Sequence, residues 1–517
     1  MEFLNFILAV SPIALVLAGI LLLKKPAMKV APAALAWTVL LAFTYFNVNG
    51  LTFQENVAAI DALLWKGIKE GFKIVAMVFG AFVILNTLKR TGAIEDVKNT
   101  VARVSGQDRR VQLIVVGFMV PIFLEGAAGA GAPAAIAAPF LVALGFDPIT
   151  AIAVALLGDA TPCSWGGAGL TTINGGASLV EAGISTNALN SAMVGRIHMF
   201  GALIIPFIMV AMAFGRKGFK SIVPYLCYAG VTTGGVMFLL SNFVGPEVTS
   251  MGTGLIAILL SVLFVKVIPI KTPEEFRYQT PKNVKQRYSA FQAMSPYIYM
   301  LVLLPAIRYG VPAFVKNGFA LLCTFGYIVW VDVVILACGL LGAATLKVKK
   351  DELFEIFRMT ADNVMPVMVT MGSLLVMSYI MQSGTTGMMS LIAGDIADLA
   401  GMMYPAAAVL IGSLGSFVTG TGLGSNIMFA GMHTEAAAAL GMNPITVFAG
   451  QNAGASLGNL ICPNNTVAAC ATVGEVGNES RVMKRTLAAF AIILCVYMTL
   501  CMVYTLVLFP NFGQVTH

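Results

Sequence analysis

Long apolar runs separated by short polar connections constrain this chain more than any other feature. The runs at 6–23, 201–215 and 487–509 approach or reach the roughly 20 apolar residues that a membrane-spanning helix needs. Of the 517 residues, 58% are hydrophobic and only 11% are charged, unlike an ordinary soluble domain. The sequence therefore predicts an all-α polytopic membrane protein with about 12 transmembrane helices plus two re-entrant hairpins.

Basic residues occur in short clusters between the apolar runs, so the net charge of +7 reflects membrane topology rather than a nucleic-acid partner. The clusters assigned to the cytoplasm lie at 24–29, 98–110, 216–220, 271–287, 347–358 and 481–485. The connections at 174–190 and 383–401 contain neither Lys nor Arg. This pattern predicts a multi-pass protein of a bacterial-type plasma (inner) membrane with both termini outside. The first apolar run lacks a cleavage site and is interpreted as a retained helix.

An internal duplication is indicated by four pairs of matching segments in the same order. LGFDPIT (144–150) returns as LGMNPIT (440–446). The other pairs are 80–92 with 372–384, 123–133 with 417–427, and 156–173 with 452–469. Basic residues follow the leading helix only in the first copy and the broken span only in the second. The two copies are therefore predicted to have inverted topology, as in many secondary transporters.

These patterns divide the chain into five parts. The predicted parts are N-terminal transmembrane helices at 1–56, repeat 1 at 57–220 with a re-entrant hairpin near 111–145, connecting helices at 221–345 with a cytoplasmic loop at 270–292, repeat 2 at 346–510 with a re-entrant hairpin near 404–440, and a C-terminal tail at 511–517. The amphipathic segments 59–73 and 349–359 are interpreted as interfacial helices, although solvated ends of long helices explain them nearly as well.

Glycine-rich and proline-bearing interruptions in apolar segments carry the functional prediction. Interrupted backbone at bilayer depth leaves N–H and C=O groups unpaired, which is tolerated only inside protein or beside a watery cavity. We therefore expect the hairpin tips to meet near the midplane. Free N–H groups at half-helix N-termini suit an anionic group, whereas carbonyls at the opposite ends suit a cation.

Several fragments together resemble one known family. EGAAGAGAP (125–133), MVGR (193–196), SNFVGPE (241–247), SN (425–426) and VAACATVGEVGNES (467–480) are similar, in this order, to signatures of the lactate permease family. The similarity covers most of residues 70–490. It implies cation-coupled symport of lactate or a related small 2-hydroxy monocarboxylate, with H⁺ favoured over Na⁺. It also implies an inverted-repeat fold like that of the ion-transporter superfamily and elevator-type alternating access.

Alternatives to this interpretation remain open at the level of sequence. The chain departs from the family pattern at Ala130, Asp159 and 421–426, so another small organic anion, such as a dicarboxylate or a 2-oxo acid, stays a candidate, as does a channel. An enzyme is disfavoured because HExxH, Walker A and His/Cys cluster patterns are missing. The predicted partners are the anion, the coupling cation and the lipid bilayer. No cofactor or metal is predicted, and a homodimer is left open.

The candidate site residues lie in or beside the interrupted segments. The predicted coupling-ion residues are Glu125, Asp159 and Asn452. The predicted substrate-binding residues are Gly126, Gly129, Gly131, Thr161, Arg196, Thr419, Gly420, Thr421, Ser425, Asn426, Asn464 and Asn465.

Each candidate also has a structural interpretation. Glu125 or Asp159 could be a helix cap, and Arg196 could extend to the membrane interface instead of clamping a carboxylate. The neutral polar side chains could satisfy interrupted backbone. His198 and His433 are expected to be hydrogen-bonded packing residues rather than proton carriers.

Overall fold

The structure, a computed structural model, describes residues 2–23, 25–46, 52–104, 107–127, 132–278, 287–315 and 330–513. Within these ranges helices are joined by short turns, and β pairing is limited to an isolated bridge between Asp108 and Arg277. The predicted all-α polytopic fold is confirmed. The predicted connecting loop at 270–292 is described in part, because 279–286 lie outside these ranges and a helix begins at Ala290.

The helices of the first half and of the central region are named here in chain order. They are α1 (Glu2–Leu17), α2 (Ala27–Thr44), α3 (Phe53–Thr91), α4 (Ala93–Val104), α5 (Arg109–Ile114), α6 (Val120–Ala127), α7 (Ala132–Ala143), α8 (Pro148–Gly158), α9 (Gly166–Gly175), α10 (Ala177–Glu181), α11 (Asn187–Phe214), α12 (Val223–Phe243) and α13 (Pro246–Val267). The second half contains α14 (Ala290–Phe314), α15 (Trp330–Thr345), α16 (Lys350–Gln382), α17 (Met388–Ala400), α18 (Tyr404–Thr419), α19 (Gly422–Ala439), α20 (Pro444–Gly458), α21 (Pro463–Thr472) and α22 (Glu479–Val503).

Short π and 3₁₀ turns extend or link these helices. The π turns are Ala18–Leu22, Val115–Met119 and Tyr504–Leu508, and the 3₁₀ turns are Pro162–Trp165, Arg216–Phe219, Glu274–Phe276 and Gly401–Met403. Among the described residues, seven helical segments are long and apolar enough to cross a membrane: Phe3–Leu22, Ala27–Thr44, Asn187–Phe214, Val223–Phe243, Pro246–Val267, Met388–Thr419 and Glu479–Leu508. The predicted total of about 12 spans plus hairpins stays a prediction.

The two amphipathic segments are the beginnings of long helices rather than separate interfacial helices. Helix α3 begins after Thr52, whose hydroxyl caps the N–H of Glu55, and continues to Thr91 before Gly92 ends it with φ 74°. Helix α16 runs through 349–359 in the same way, from Lys350 to Gln382. The structure therefore favours the alternative, solvated ends of long helices, because each helix continues without a break through the expected junction.

Helices α3 and α16, which contain matching sequence segments, lie against each other in antiparallel orientation. At one end, Arg90 Nη2 lies 2.8 Å from Glu355 Oε2. At the other, Lys66 Nζ lies 4.4 Å from the centre of the Tyr379 ring. Since the start of each helix contacts the end of the other, these two matching helices point in opposite directions.

Several other contacts between the halves occur in reciprocal pairs. Helix α7 packs against α21 and α19 against α9, while α8 packs against α22 and α20 against α11. The same reciprocity includes helices outside the predicted repeats, since α2 contacts α16 and α15 contacts α3, while α1 contacts α17 and α14 contacts α4. Reciprocal contacts thus also involve α1, α2, α14 and α15, which lie outside the repeats predicted from sequence.

Each half also contains a helix pair and an interrupted helix. Helices α6 and α7 pack against each other on either side of 128–131, which lie outside the described residues, and α18 and α19 form the corresponding pair around Gly420. Downstream, the chain breaks between α8 and α9 and between α20 and α21. At 1.5 Å per residue, the 11 residues of α8 extend roughly 16 Å, about half the hydrocarbon thickness.

A close glycine contact between α6 and α13 holds the first helix pair against the central helices. A Cβ placed on Gly254 would collide with the backbone nitrogen of Phe123, and one on Gly126 would collide with that of Met251. Ser250 Oγ strengthens the contact by donating a 2.6 Å hydrogen bond to the Ile122 carbonyl. Small residues allow this approach, as in other membrane helix interfaces.

Gly254→Ala should therefore lower the midpoint of thermal unfolding in detergent, with a cost of about 1–3 kcal/mol from overpacking against a rigid backbone. Gly235→Ala on the neighbouring α12 is the matched control, because a Cβ there has no atom within 4 Å. Equal midpoints for the two variants would contradict this packing.

Candidate functional site

Two buried carboxyl groups from the first half form the centre of the candidate site. Glu125 on α6 is 1% exposed, and Asp159, directly after α8, is 2% exposed. The two carboxyl groups lie close enough to interact with each other. Glu125 Oε2 and Asp159 Oδ1 have no hydrogen-bond partner among the described residues. The site thus contains two adjacent acids with free oxygen atoms.

A carboxylate caps a helix at its N-terminus, but Asp159 lies at the C-terminus of α8. Asp159 follows the C-terminus of α8, where the helix dipole repels negative charge. A capping carboxylate would instead accept N–H groups at an N-terminus, as Asp147 does with Thr150 N at 3.0 Å. The Asp159 side chain is therefore held next to Glu125 for a reason other than capping.

The 3₁₀ turn after Asp159 brings Cys163 and Gly166 against this acid pair. Cys163 lies close enough to interact with the Glu125 side chain. Gly166 has no room for a side chain, because a Cβ there would collide with Glu125 Oε1. The carboxyl of Glu125 is therefore confined between the turn and Asp159.

The turn between α18 and α19 faces this region from the second half. Gly420 has φ 76°, and a Cβ on it would lie 2.7 Å from Asn464 Nδ2. Thr419 Oγ1 donates a 2.8 Å hydrogen bond to the Thr421 carbonyl, and Thr421 Oγ1 accepts the Gly424 N–H at 3.0 Å. Asn464 Oδ1 has no partner among the described residues. The turn is thus ordered by its own side chains, with a free amide oxygen beside it.

Three predicted substrate residues have their polar groups engaged within the protein. Ser425 Oγ donates to the Gly412 carbonyl at 2.8 Å and accepts from Gln451 Nε2 at 3.0 Å. Asn426 Nδ2 donates to the Thr171 carbonyl at 3.2 Å. Asn465 Nδ2 lies 3.4 Å from the Asn459 carbonyl. These contacts favour the structural interpretation, in which polar side chains satisfy interrupted backbone.

Asn452 belongs to a buried chain of hydrogen bonds that also contains His198. Asn452 Nδ2 donates to Thr172 Oγ1 at 2.9 Å, and its backbone carbonyl accepts from Ser164 Oγ at 3.3 Å. Ser164 Oγ lies 2.7 Å from His198 Nε2, and His198 Nδ1 lies 2.8 Å from the Tyr497 hydroxyl. Asn452 Oδ1 has no partner among the described residues. Asn452 therefore retains one free acceptor.

Both interior histidines are hydrogen-bonded packing residues, as the sequence predicted. His198 has the two hydroxyl partners given above. His433 Nδ1 lies 2.7 Å from the Tyr404 hydroxyl, and His433 Nε2 lies 2.9 Å from Gln451 Oε1.

The other candidates occupy different surroundings. Arg196 places its guanidinium carbon 4.8 Å from the centre of the Phe512 ring and 5.5 Å from that of Phe509, away from the contacts of the acid pair. Thr161 is fully buried, and its hydroxyl has no partner among the described residues. Gly126 packs on α13. Gly129 and Gly131 lie outside the described residues.

Two polar residues that were not predicted from the sequence, Asn459 and Ser456, link the two broken spans. Asn459 Nδ2 lies 2.7 Å from Cys163 Sγ, and these residues occupy matching positions of the aligned segments 156–173 and 452–469. The neighbouring pair Ser456 and Ala160 is also matched, and its hydroxyl-to-carbonyl distance is 2.9 Å. The alignment contained this signal, because the contacting residues occupy matching positions of the two segments.

Comparison with known proteins identifies the family of this chain. The profile described as L-lactate permease matches residues 5–325 and 311–509, nearly the entire sequence. The chain belongs to the L-lactate permease family. The resemblance seen in the sequence is therefore confirmed. Permeases are membrane transport proteins rather than enzymes.

Individual relatives agree with this membership. The L-lactate permease of Escherichia coli (strain K12) is 27% identical over 507 residues, or 90% of each chain. The glycolate permease GlcA of the same strain is 26% identical over 489 residues, covering 84% of this chain and 85% of the relative. The solved YdaH transporter of Alcanivorax borkumensis has a TM-score of 0.38 and 13% identity, covering 92% of this chain and 98% of its own. The bacterial relatives and the apolar helices support a multi-pass inner-membrane protein.

Gln451→Leu should destabilise the second half, because it removes the partner of His433 Nε2 and a donor to Ser425 Oγ. Each buried polar group left without a partner costs about 1–3 kcal/mol. The midpoint of thermal unfolding in detergent should fall. Gln54→Leu, at an exposed position of α3, should leave it unchanged. A midpoint for Gln451→Leu equal to that of the parent would contradict a structural role for this network.

Proposed function

We propose that this chain is a secondary active transporter that carries lactate or a related small 2-hydroxy monocarboxylate together with a cation, with H⁺ favoured over Na⁺. Membership of the L-lactate permease family supports the substrate class. The names of the relatives, L-lactate permease and glycolate permease, both refer to 2-hydroxy monocarboxylates. The observation that carries the coupling proposal is the contact between the Glu125 and Asp159 carboxyl groups in the protein interior.

The acid pair is suited to bind a proton. Two ionised carboxylates in contact within a low-dielectric interior repel each other and lose hydration, so one shared proton relieves a large electrostatic cost. The free oxygens Glu125 Oε2 and Asp159 Oδ1 provide positions for the proton or for a water that delivers it. These features favour H⁺ as the coupling cation.

The second helix pair is suited to bind the substrate carboxylate. It presents the N-terminus of α19, whose partial positive charge attracts an anion without a basic side chain. Asn464, beside Gly420, adds a buried amide whose oxygen is free to accept the substrate hydroxyl. Thr161 and Asn452 contribute further unpartnered oxygens. In this proposal Arg196 supports the packing of aromatic rings instead of clamping the substrate.

Alternating access is proposed to arise from two inverted repeats. The antiparallel contact of α3 with α16 and the reciprocal packing of the two halves support this arrangement. We place the repeats at α1–α11 and α14–α22, with α12 and α13 between them. The helix pairs α6–α7 and α18–α19 are the proposed re-entrant hairpins of an elevator-type moving unit. Both termini are proposed to lie outside.

Uptake of labelled lactate into proteoliposomes with an imposed proton or sodium gradient tests the coupling. Glu125→Gln and Asp159→Asn should each reduce accumulation against a gradient at least about tenfold, because each removes an interaction with a charged group of about 1.5–3 kcal/mol. Glu435→Gln, at an exposed position of α19, is the matched control and should accumulate lactate like the parent. Accumulation by both site variants equal to that of the parent would exclude the coupling assignment.

The same vesicles separate a carrier from a channel and lactate from other anions. A carrier loaded with unlabelled lactate should show counterflow of external label, whereas a channel should not. Competition by glycolate but not by dicarboxylates or 2-oxo acids is the expected pattern. Strong competition by a dicarboxylate would contradict the proposal that the substrates are 2-hydroxy monocarboxylates.

A further inference from the structure

Cys163 occupies a position at which the two halves of the candidate site meet. Its thiol contacts the Glu125 carboxyl from the first half. From the second half, its Sγ accepts a hydrogen bond from Asn459 Nδ2 at 2.7 Å and lies beside the backbone of Gly422. Gly422 is the first residue of α19, which makes Cys163 a direct link between the acid pair and the second hairpin.

The tip of the second hairpin fits closely around this thiol. A Cβ on Gly422 would lie 3.0 Å from Cys163 Sγ and 3.3 Å from Thr171 Cγ2. On the opposite side, Gly166 brings the chain into contact with Glu125 Oε1. Because the thiol lies beside both the Glu125 carboxyl and the N-terminus of α19, a change in the position of the carboxyl can be passed on to this helix end.

A second observation indicates that a ligand binds beside this contact. Glu125 and Asp159 are both at least 98% buried, and each carries an oxygen without a hydrogen-bond partner among the described residues. A thiol has one proton to donate and a sulfur that accepts weakly, so its orientation depends on the charge of its acceptor. An ionised Glu125 attracts the S–H and directs the sulfur lone pairs to Gly422 and Asn459, whereas a protonated Glu125 competes as a donor.

We propose that Cys163 is a positioning residue that links the protonation state of the Glu125–Asp159 pair to the substrate affinity of the second hairpin. This inference rests on the proposed proton-coupled transport of a monocarboxylate. Through Cys163, protonation of the pair changes the position of the α19 N-terminus, which is where the substrate carboxylate binds. By thermodynamic linkage, substrate binding then favours protonation to the same extent.

The test is the pH dependence of the KM for lactate in proteoliposomes. In the parent, KM should be higher at pH 8 than at pH 6. Cys163→Ala removes the link, so the ratio of the two KM values should fall at least about fivefold, the lower end of typical coupling between sites. Cys163→Ser keeps one donor and one acceptor and should retain most of the parental ratio.

A matched control distinguishes this role from the loss of any buried thiol. Cys501 on α22 is also buried, and its Sγ lies 3.6 Å from the Thr446 carbonyl, with no contact to the acid pair. Cys501→Ala should keep the parental ratio. If Cys163→Ala is absent from the membrane fraction, Gly422→Ala replaces it, because the added methyl group displaces the helix N-terminus from the thiol and should flatten the same ratio.

The outcomes separate this inference from the proposed function. A parental KM ratio in Cys163→Ala, or in Gly422→Ala where that variant replaces it, overturns the role of Cys163. A parent protein that takes up no lactate at either pH overturns the proposed function instead. A flattened ratio in Cys163→Ala with a parental ratio in Cys163→Ser supports the link.

Discussion

The structure depends on the rule that backbone polar groups cannot remain unpaired in hydrocarbon. A chain that breaks its helices at bilayer depth must supply partners for the freed groups from elsewhere in the protein. Here the partners come from the opposite half. Ser456 Oγ donates to the Ala160 carbonyl at the first break, and Ser164 Oγ donates to the Asn452 carbonyl of α20. Each interrupted helix is therefore stabilised by the other, which keeps the two breaks together.

Glycine makes this mutual approach sterically feasible. Gly412 and Gly454 bring α18 and α20 so close that a Cβ on either would collide with a backbone carbonyl of the other helix. Without the hydrophobic effect, association inside a bilayer relies on such close packing and on interhelical hydrogen bonds. The glycines that weaken the helices at their breaks thus also strengthen the contacts between helices. Glu125 and Asp159 are at most 2% exposed, so bulk water screens their charges little.

The sequence predicted much of the fold because the relevant signals are local. Apolar runs predicted the membrane class, and repeated motifs around 144–150 and 440–446 predicted two related halves. The sequence also selected Glu125 and Asp159 separately, but it did not predict that their carboxyls touch. That contact depends on how α6 packs against the turn after α8, which is a tertiary property. Arg196 illustrates the same limit, since only the fold brings the C-terminal Phe509 and Phe512 beneath its guanidinium.

The proposed site combines two acidic side chains from the first half with neutral polar side chains from the second half. The first half supplies Glu125 and Asp159, whereas the matching position of Glu125 in the second half is Thr419. Two halves with related backbones but different side chains can bind ligands of opposite charge on either side of a shared contact. The proton and the carboxylate would then occupy neighbouring positions, which favours binding both together.

The central claim is that the two halves have opposite orientations in the membrane, and labelling of introduced cysteines tests it most directly. Lys89→Cys and Gly384→Cys place exposed thiols at the ends of the matching helices α3 and α16. With a membrane-impermeant maleimide and the parent protein as background, position 89 should react only from the cytoplasmic side and position 384 only from outside. Labelling of both positions from the same side would contradict the account.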